Sequence, residues 1–222
     1  MMNVSFIKNV LAMLLVGGIL ASCKGSFSDE EIKMVRQGEG VMRLLTVEQP
    51  PEEAFLRQKA RPLKATDGMS ETYQLLKKRM LATVTDTANP GVGIAAPQVG
   101  VSCRLIAVQR FDKEGEPFEF YLNPKIVRYS DEKVCGPEGC LSIPDVVDSV
   151  WRSSEIVISY KEDPWVESRT EVSATGIHKS IKVKQNFSSK KETIRGFTAV
   201  IFQHEIDHLD GILFTDRVKD KK

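Results

Sequence analysis

The chain lacks most of what would mark a nucleic-acid binder, a disulfide scaffold or a repeat protein. Its charges nearly cancel, with 31 Lys plus Arg against 30 Asp plus Glu and a formal +1 over 222 residues. No basic field is left to meet phosphate, and no block of one sign marks a disordered tail, so composition excludes a nucleic-acid partner. Cysteine is sparse, with four residues at 23, 103, 135 and 140. A chain that is 41% hydrophobic fills one core without needing staples, although Cys135 and Cys140 are close enough in sequence to pair. There is no internal repeat, no low-complexity tract and no linker to divide the chain. Nor is any apolar run long and clean enough to read as a membrane span; Val10 to Leu20 comes nearest.

Histidine is scarce as well, with three residues, and two of them fall in Gln203-His204-Glu205-Ile206-Asp207-His208-Leu209-Asp210-Gly211. Four residues apart on a helix, His204 and His208 share one face and can reach a single metal ion. Glu205, directly after the first, is then close enough to hold or deprotonate a water, as in metal hydrolases. A helix end with two unremarkable histidines is the plainer alternative. The apolar run Gly196 to Phe202 opposes it, because a helix apolar on nearly all sides is buried, and buried imidazoles need partners.

Taken in order, Val41 to Val47 is apolar-rich, Pro50-Pro51 breaks the chain, and Glu52 to Lys59 suits one or two helical turns. Met69, Tyr73, Leu76, Met80 and Val84 recur at spacings of three and four, which predicts an amphipathic helix over 70–86 capped by Asp67 or Ser70. Gly91 to Gly100 reads as a backbone-determined loop whose one amide, Gln98, sits among apolar neighbours. Strands are expected at 105–108, at 118–127 with Asn123-Pro124 interrupting, at 155–160, 171–175 and 181–183, with polar loops between. Helix resumes at about Thr193, read as its N-cap, and ends at Leu209 with Gly211 as punctuation. The pattern is a single α+β domain, antiparallel strands around a buried C-terminal helix.

A catalytic metal site usually takes three protein ligands, so two histidines leave it one short. Carboxylates and His178 are open on composition. Cys140 is the better choice, set between glycine and proline in Pro137-Glu138-Gly139-Cys140-Leu141-Ser142-Ile143-Pro144, but spacing alone does not separate it from Cys135. Resemblance does. Gly91 to Gly100, Glu138 to Pro144 and Gln203 to Gly211 resemble, in order, the three signature motifs of peptide deformylases, with general likeness over 41–216. The resemblance implies Cys140, His204 and His208 as metal ligands, and Glu205 as the acid–base residue. It implies Gln98 and the Leu141 N–H at the oxyanion, and Gly93 beside the bound peptide. It also implies Fe²⁺ as the usual metal, with Zn²⁺ or another divalent ion able to replace it. N-formylated peptides or nascent chains are the implied partners, and formate the product. The stretch from Asp145 to Arg195 departs from the family, with 164–191 longer and more polar than usual.

The N-terminus conflicts with that resemblance. Lys8, the apolar run and Ala21-Ser22 read as an export signal over residues 1–22. Leu20-Ala21-Ser22-Cys23 resembles the cleavage box of bacterial lipoproteins, which predicts a membrane anchor on Cys23, a polar tether over 23–40 and a location at the cell envelope. A start at Met34 or Met42 would instead make the protein cytoplasmic. Two other functions fit parts of the sequence. A surface-anchored metallopeptidase would use the histidine–glutamate–histidine helix alone and release amino acids rather than formate. A non-catalytic envelope binding protein would keep the scaffold without turnover.

Overall fold

The computed structural model describes residues 27–64, 66–162, 165–173, 176–184 and 188–218, with the backbone alone at 165–173 and 176–184. Its helices are α1 Asp29–Arg36, α2 Pro50–Leu56, α3 Glu71–Val84 and α4 Gly196–Leu209. Its strands are β1 Gly93–Ala95, β2 Leu105–Gln109, β3 Phe118–Tyr129, β4 Lys133–Cys140, β5 Ile143–Ser153, β6 Glu155–Lys161, β7 Trp165–Ser173, β8 Gly176–Lys184 and β9 Ser189–Arg195. Five of them form an antiparallel sheet in the order β1-β2-β3-β6-β9, while β4–β5 and β7–β8 are separate hairpins. The class is α+β, as the sequence indicates.

Strand β2 explains how the layers stack. Leu105 and Ala107 pack with Tyr73, Leu76, Met80 and Val84 of α3, whereas Ile106 and Val108 pack with Ala199, Phe202 and Ile206 of α4. A strand covered on both faces has no need to alternate, which is why it reads as an unbroken apolar run. The stripe on α3 is core as expected, and Ser70 caps that helix by accepting from the Tyr73 N–H at 3.1 Å. Each fully buried side chain of this kind contributes about 1.5–3 kcal/mol. Helix α4 lies between the sheet and the β4–β5 hairpin, so apolar groups surround it on most sides.

Several expectations are corrected. Thr193 does not cap α4; it pairs with Val157 in β9, which runs on to Arg195 before the chain turns at Gly196 with φ of +60°. Gly91 to Gly100 is not loop throughout: it contains β1 and a 3-10 turn, Ala96–Val99. The polar stretch 130–153 is not loop but the β4–β5 hairpin. Cys135 and Cys140 cannot pair, since five residues along one strand put them roughly 16 Å apart, and Cys103, Cys135 and Cys140 are free thiols.

The polar tether is the largest correction. Residues 1–26, including the expected signal and Cys23, lie outside the described residues, but from Phe27 onward the chain is packed on the domain. Ser28 and Glu31 cap α1 reciprocally, with Glu31 N–H donating to Ser28 Oγ at 3.2 Å and Ser28 N–H to Glu31 Oε2 at 2.8 Å. Phe27 and Val35 enter the α3 core. Arg79 of α3 closes the other end, its guanidinium donating to the carbonyls of Val35 and Gln37 at 2.9 Å and of Gly40 and Val41 at 3.2 Å. The Val35 and Gln37 carbonyls would otherwise lack partners at the helix C-terminus.

Candidate active site

One turn of α4 puts the His204 and His208 rings 5.0 Å apart, and β4 delivers Cys140 to them from across the hairpin. The ligand atoms of Cys140, His204 and His208 all lie within 4.8 Å of one another, with Cys140 Sγ 3.2 Å from His208 Nε2. A thiolate and two imidazoles in this spacing fit a divalent transition metal with one position left for a small ligand. The Cys140 thiol is suited to that role. Burial works against its ionisation, but the charge on His208 and hydrogen bonds from both imidazoles bring it down to about 5.

Glu205 faces the same space. Its side chain is buried, and its Oε2, like Nδ1 of His208, has no hydrogen-bond partner in the protein. A buried polar atom without a partner is costly, so the Glu205 oxygen fits a site built to take a further group. Burial raises the Glu205 carboxyl, the two imidazoles pull it back, and the balance lies at about 7. Gly93 makes its position possible: a Cβ there would sit 2.5 Å from Glu205 Oε1.

Gln98 is held at both ends. Its Oε1 accepts from the Ala95 N–H at 2.8 Å, so its Nε2 must point the other way, towards Ser142 Oγ at 3.3 Å and Cys140 Sγ at 3.6 Å. Leu141 follows Cys140 at the tip of the β4–β5 hairpin. Gly93, Gln98, Cys140, Leu141, His204 and Glu205 all line one cavity of about 430 Å³. Its mouth is apolar, with Val92, Val146, Val147 and Phe197 exposed around it.

Behind the metal-facing atoms lies a buried charged layer. Glu138 Oε2 accepts from His204 Nδ1 at 2.8 Å, and Arg152 forks onto the same carboxylate at 2.7 and 2.9 Å. Burial opposes the Glu138 charge, yet Arg152 and His204 outweigh it and hold the carboxyl at about 2. With Nδ1 fixed in this way, His204 presents Nε2 to the metal position. Phe214, in the short 3-10 turn after α4, stacks on the His204 ring with centroids 6.0 Å apart.

Comparison with known proteins gives the same answer as the geometry. The family model for polypeptide deformylase matches residues 41–181 and 178–222. A peptide deformylase of Symbiobacterium thermophilum is 38% identical over 180 residues, covering 79% of this chain and 67% of the relative. One from Synechocystis is 35% identical over 176 residues, covering 78% of this chain and 81% of the relative. Among solved structures, the Met-Ala-Ser-bound class I type b peptide deformylase of Acinetobacter baumannii superposes with a TM-score of 0.62 at 30% identity, covering 80% of this chain and 98% of the other.

The chain belongs to the peptide deformylase family.

As a peptide deformylase it holds α1 ahead of the matched region, which opens at residue 41. The deformylase site residues singled out in the sequence, Gly93, Gln98, Cys140, Leu141, His204, Glu205 and His208, all meet at the cavity or its metal-facing wall. His178 does not join them; it lies in the β7–β8 hairpin opposite Glu171. Sequence reasoning missed Ser142, which receives the Gln98 amide, and the Glu138–Arg152 pair. Glu138 stands inside a recognised motif, but Arg152 is on the opposite strand of a hairpin that the sequence did not reveal.

Proposed function

We propose that this deformylase removes the N-formyl group of formyl-methionyl peptides by hydrolysis, using a divalent metal held by Cys140, His204 and His208, with Fe²⁺ as the native ion. The observation that carries this is the convergence of three metal-ligating atoms, a buried unpartnered carboxylate and an oriented amide on one cavity. The metal, when bound, supplies a Lewis acid and lowers the pKa of water. A thiolate among the ligands suits a ferrous ion, and Zn²⁺ is the alternative occupant.

The chain's own groups do the rest. Glu205 accepts the proton of the water that attacks the formyl carbon; its side chain is buried beside the ligand cluster, with one oxygen unpartnered in the protein. Negative charge then grows on the former carbonyl oxygen. The Gln98 Nε2 and the Leu141 N–H donate to it there, and the Gln98 amide need not reorient because the Ala95 N–H already fixes it. Glu205 returns the proton to the amine as the C–N bond breaks, releasing formate and a free N-terminus. The apolar mouth takes the peptide chain, in line with the Met-Ala-Ser seen on the Acinetobacter enzyme.

The test is formate release from formyl-methionyl peptides by protein prepared without oxygen and loaded separately with Fe²⁺ and Zn²⁺. Release that stops on chelation and returns with metal supports the reading; amino acids released in place of formate would make the protein a peptidase.

For the location we propose export, with a lipid anchor on Cys23. Lys8, the apolar run and Leu20-Ala21-Ser22-Cys23 support this. Among the described residues no helix is long and apolar enough to cross a membrane. Wild-type protein should take up labelled palmitate and fractionate with membranes, and Cys23→Ser should do neither; a soluble cytoplasmic wild type starting at Met34 or Met42 would end the proposal.

A further inference from the structure

Arg217 lies beyond α4 and outside all three signature segments, yet it ends a line of paired charges that begins at His204. Its Nε and Nη2 both donate to Asp207, each at 2.5 Å. Asp207 also accepts from Arg152 Nη1 at 2.5 Å. Arg152 turns its other two nitrogens, Nε and Nη2, on Glu138, and Glu138 holds Nδ1 of His204 at 2.8 Å. The line therefore runs Arg217, Asp207, Arg152, Glu138, His204.

The balance of charge along it assigns Arg217 a task. The Arg152, Glu138 and Asp207 side chains are 4%, 6% and 9% exposed. One buried guanidinium thus stands between two buried carboxylates, a set with a formal charge of −1. Arg217, whose side chain is 39% exposed, brings the sum to zero from the outer edge. Take that charge away and the two carboxylates compete for Arg152 in a medium where such competition is strong. Asp207 would draw Arg152 towards itself and slacken the fork on Glu138. The plane of Glu138, and with it the hold on His204, would loosen. A purely structural account has Arg217 pinning the chain end, but its neighbour Asp216 already does this by pairing with Arg57 at 2.9 Å and accepting from the Leu213 N–H at 2.9 Å.

We propose that Arg217 is a positioning residue for the metal site: by neutralising Asp207 it leaves Arg152 to Glu138, and so fixes the orientation and tautomer of His204. This rests on the metal-site reading given above, but it is testable without turnover.

The experiment uses the full chain loaded with Co²⁺, whose visible absorption reports ligand geometry, together with the rate of metal loss to a chelator and the kcat and KM on a formyl-methionyl peptide. Arg217→Met keeps the side-chain stem and removes the charge. It should shift the Co²⁺ bands, speed metal loss about 10-fold, the lower end of the range for outer-shell partners, and lower kcat with KM little changed. Arg217→Lys restores the charge and should return all three readouts most of the way. In an Asp207→Asn background there is no charge to neutralise, so Arg217→Met should have little further effect. If Arg217→Met lowers the melting temperature while the Co²⁺ spectrum and metal-loss rate stay as in the wild type, the residue only pins the tail and the proposal fails. If the spectra respond as expected but wild-type protein releases no formate, the positioning role stands and the deformylase reading falls.

Discussion

At Gly93 the backbone of β1 passes so near Glu205 that a single methyl group would collide with its carboxylate. The likeness to known motifs places this glycine beside the peptide, and it does line the cavity, but the structure adds a steric reason for it. Gly93→Ala should push the Glu205 carboxylate aside and cost on the order of 10²-fold in kcat, since misplacing a reacting group by about 1 Å has that effect. Metal content should be unchanged, and metal analysis beside a formate assay checks both. Glu205→Gln should retain the ion and lose nearly all turnover, because an amide cannot accept the proton. Gln98→Ala should fold, bind metal and lose about 10²–10³-fold in kcat; a normal rate in either variant would contradict the assigned role. These residues were legible because their signal is local: a four-residue spacing on one helix, and short segments with a dictated backbone. Arg152 was not, since it meets Glu138 from fourteen positions on, across a hairpin register that no local pattern announces.

Among the elements, the ones read well are those buried on one or two faces, such as α3 and β2. The ones missed are exposed. Along β4 and β5 most side chains face solvent, including Asp145, Val146, Val147, Asp148 and Ser149 in a row, so the period-two alternation that marks a half-buried strand is absent. Strand β9 is an edge strand, Ser-Lys-Lys-Glu-Thr-Ile-Arg, with Ile194 alone buried, and charge of that kind guards an open edge while hiding the strand from a reader. Helix α1 was missed because its composition is polar and its partners are remote. Its capping box was present in the sequence at Ser28 and Glu31, but Arg79, which closes its C-terminus, lies on α3. Arg79→Ala should release α1 and lower stability by about 2–4 kcal/mol, the scale for losing charged hydrogen bonds to buried carbonyls. Urea denaturation would measure it. An unchanged midpoint would mean that Phe27 and Val35 hold α1 unaided.

Across the whole molecule, two buried arginines set the response to acid. Arg110 gathers Asp112 at 2.7 Å, Glu192 at 2.7 Å and Glu119 at 3.2 Å, joining the β2–β3 connection to β9. Hydrogen bonds from Arg110 hold Asp112 below the ordinary carboxylate range; for Glu119 burial pulls upward, and Lys113 and Tyr121 outweigh it. Arg152 and His204 do the same for Glu138, down to about 2. Folded-state values below the unfolded ones mean stability that is complete above about pH 5 and is lost as pH falls through about 4 towards 2. Unfolding midpoints should hold from pH 6 to about 5 and then fall towards pH 2.5, and Arg110→Met should flatten that fall. A midpoint that held constant down to pH 2.5 would sink the assignment. The docking of α1 bears on a different property, the reach of the enzyme. Phe27 is already packed on the domain, and in sequence Lys24, Gly25 and Ser26 alone separate it from Cys23. Three residues can reach about 14 Å at most, whatever their conformation. A lipid on Cys23 would therefore leave the enzyme no long swing into solution: it would work as a surface-grazing catalyst, meeting peptides that diffuse along the bilayer or emerge from it, and its encounter rate would scale with their density per unit of membrane area.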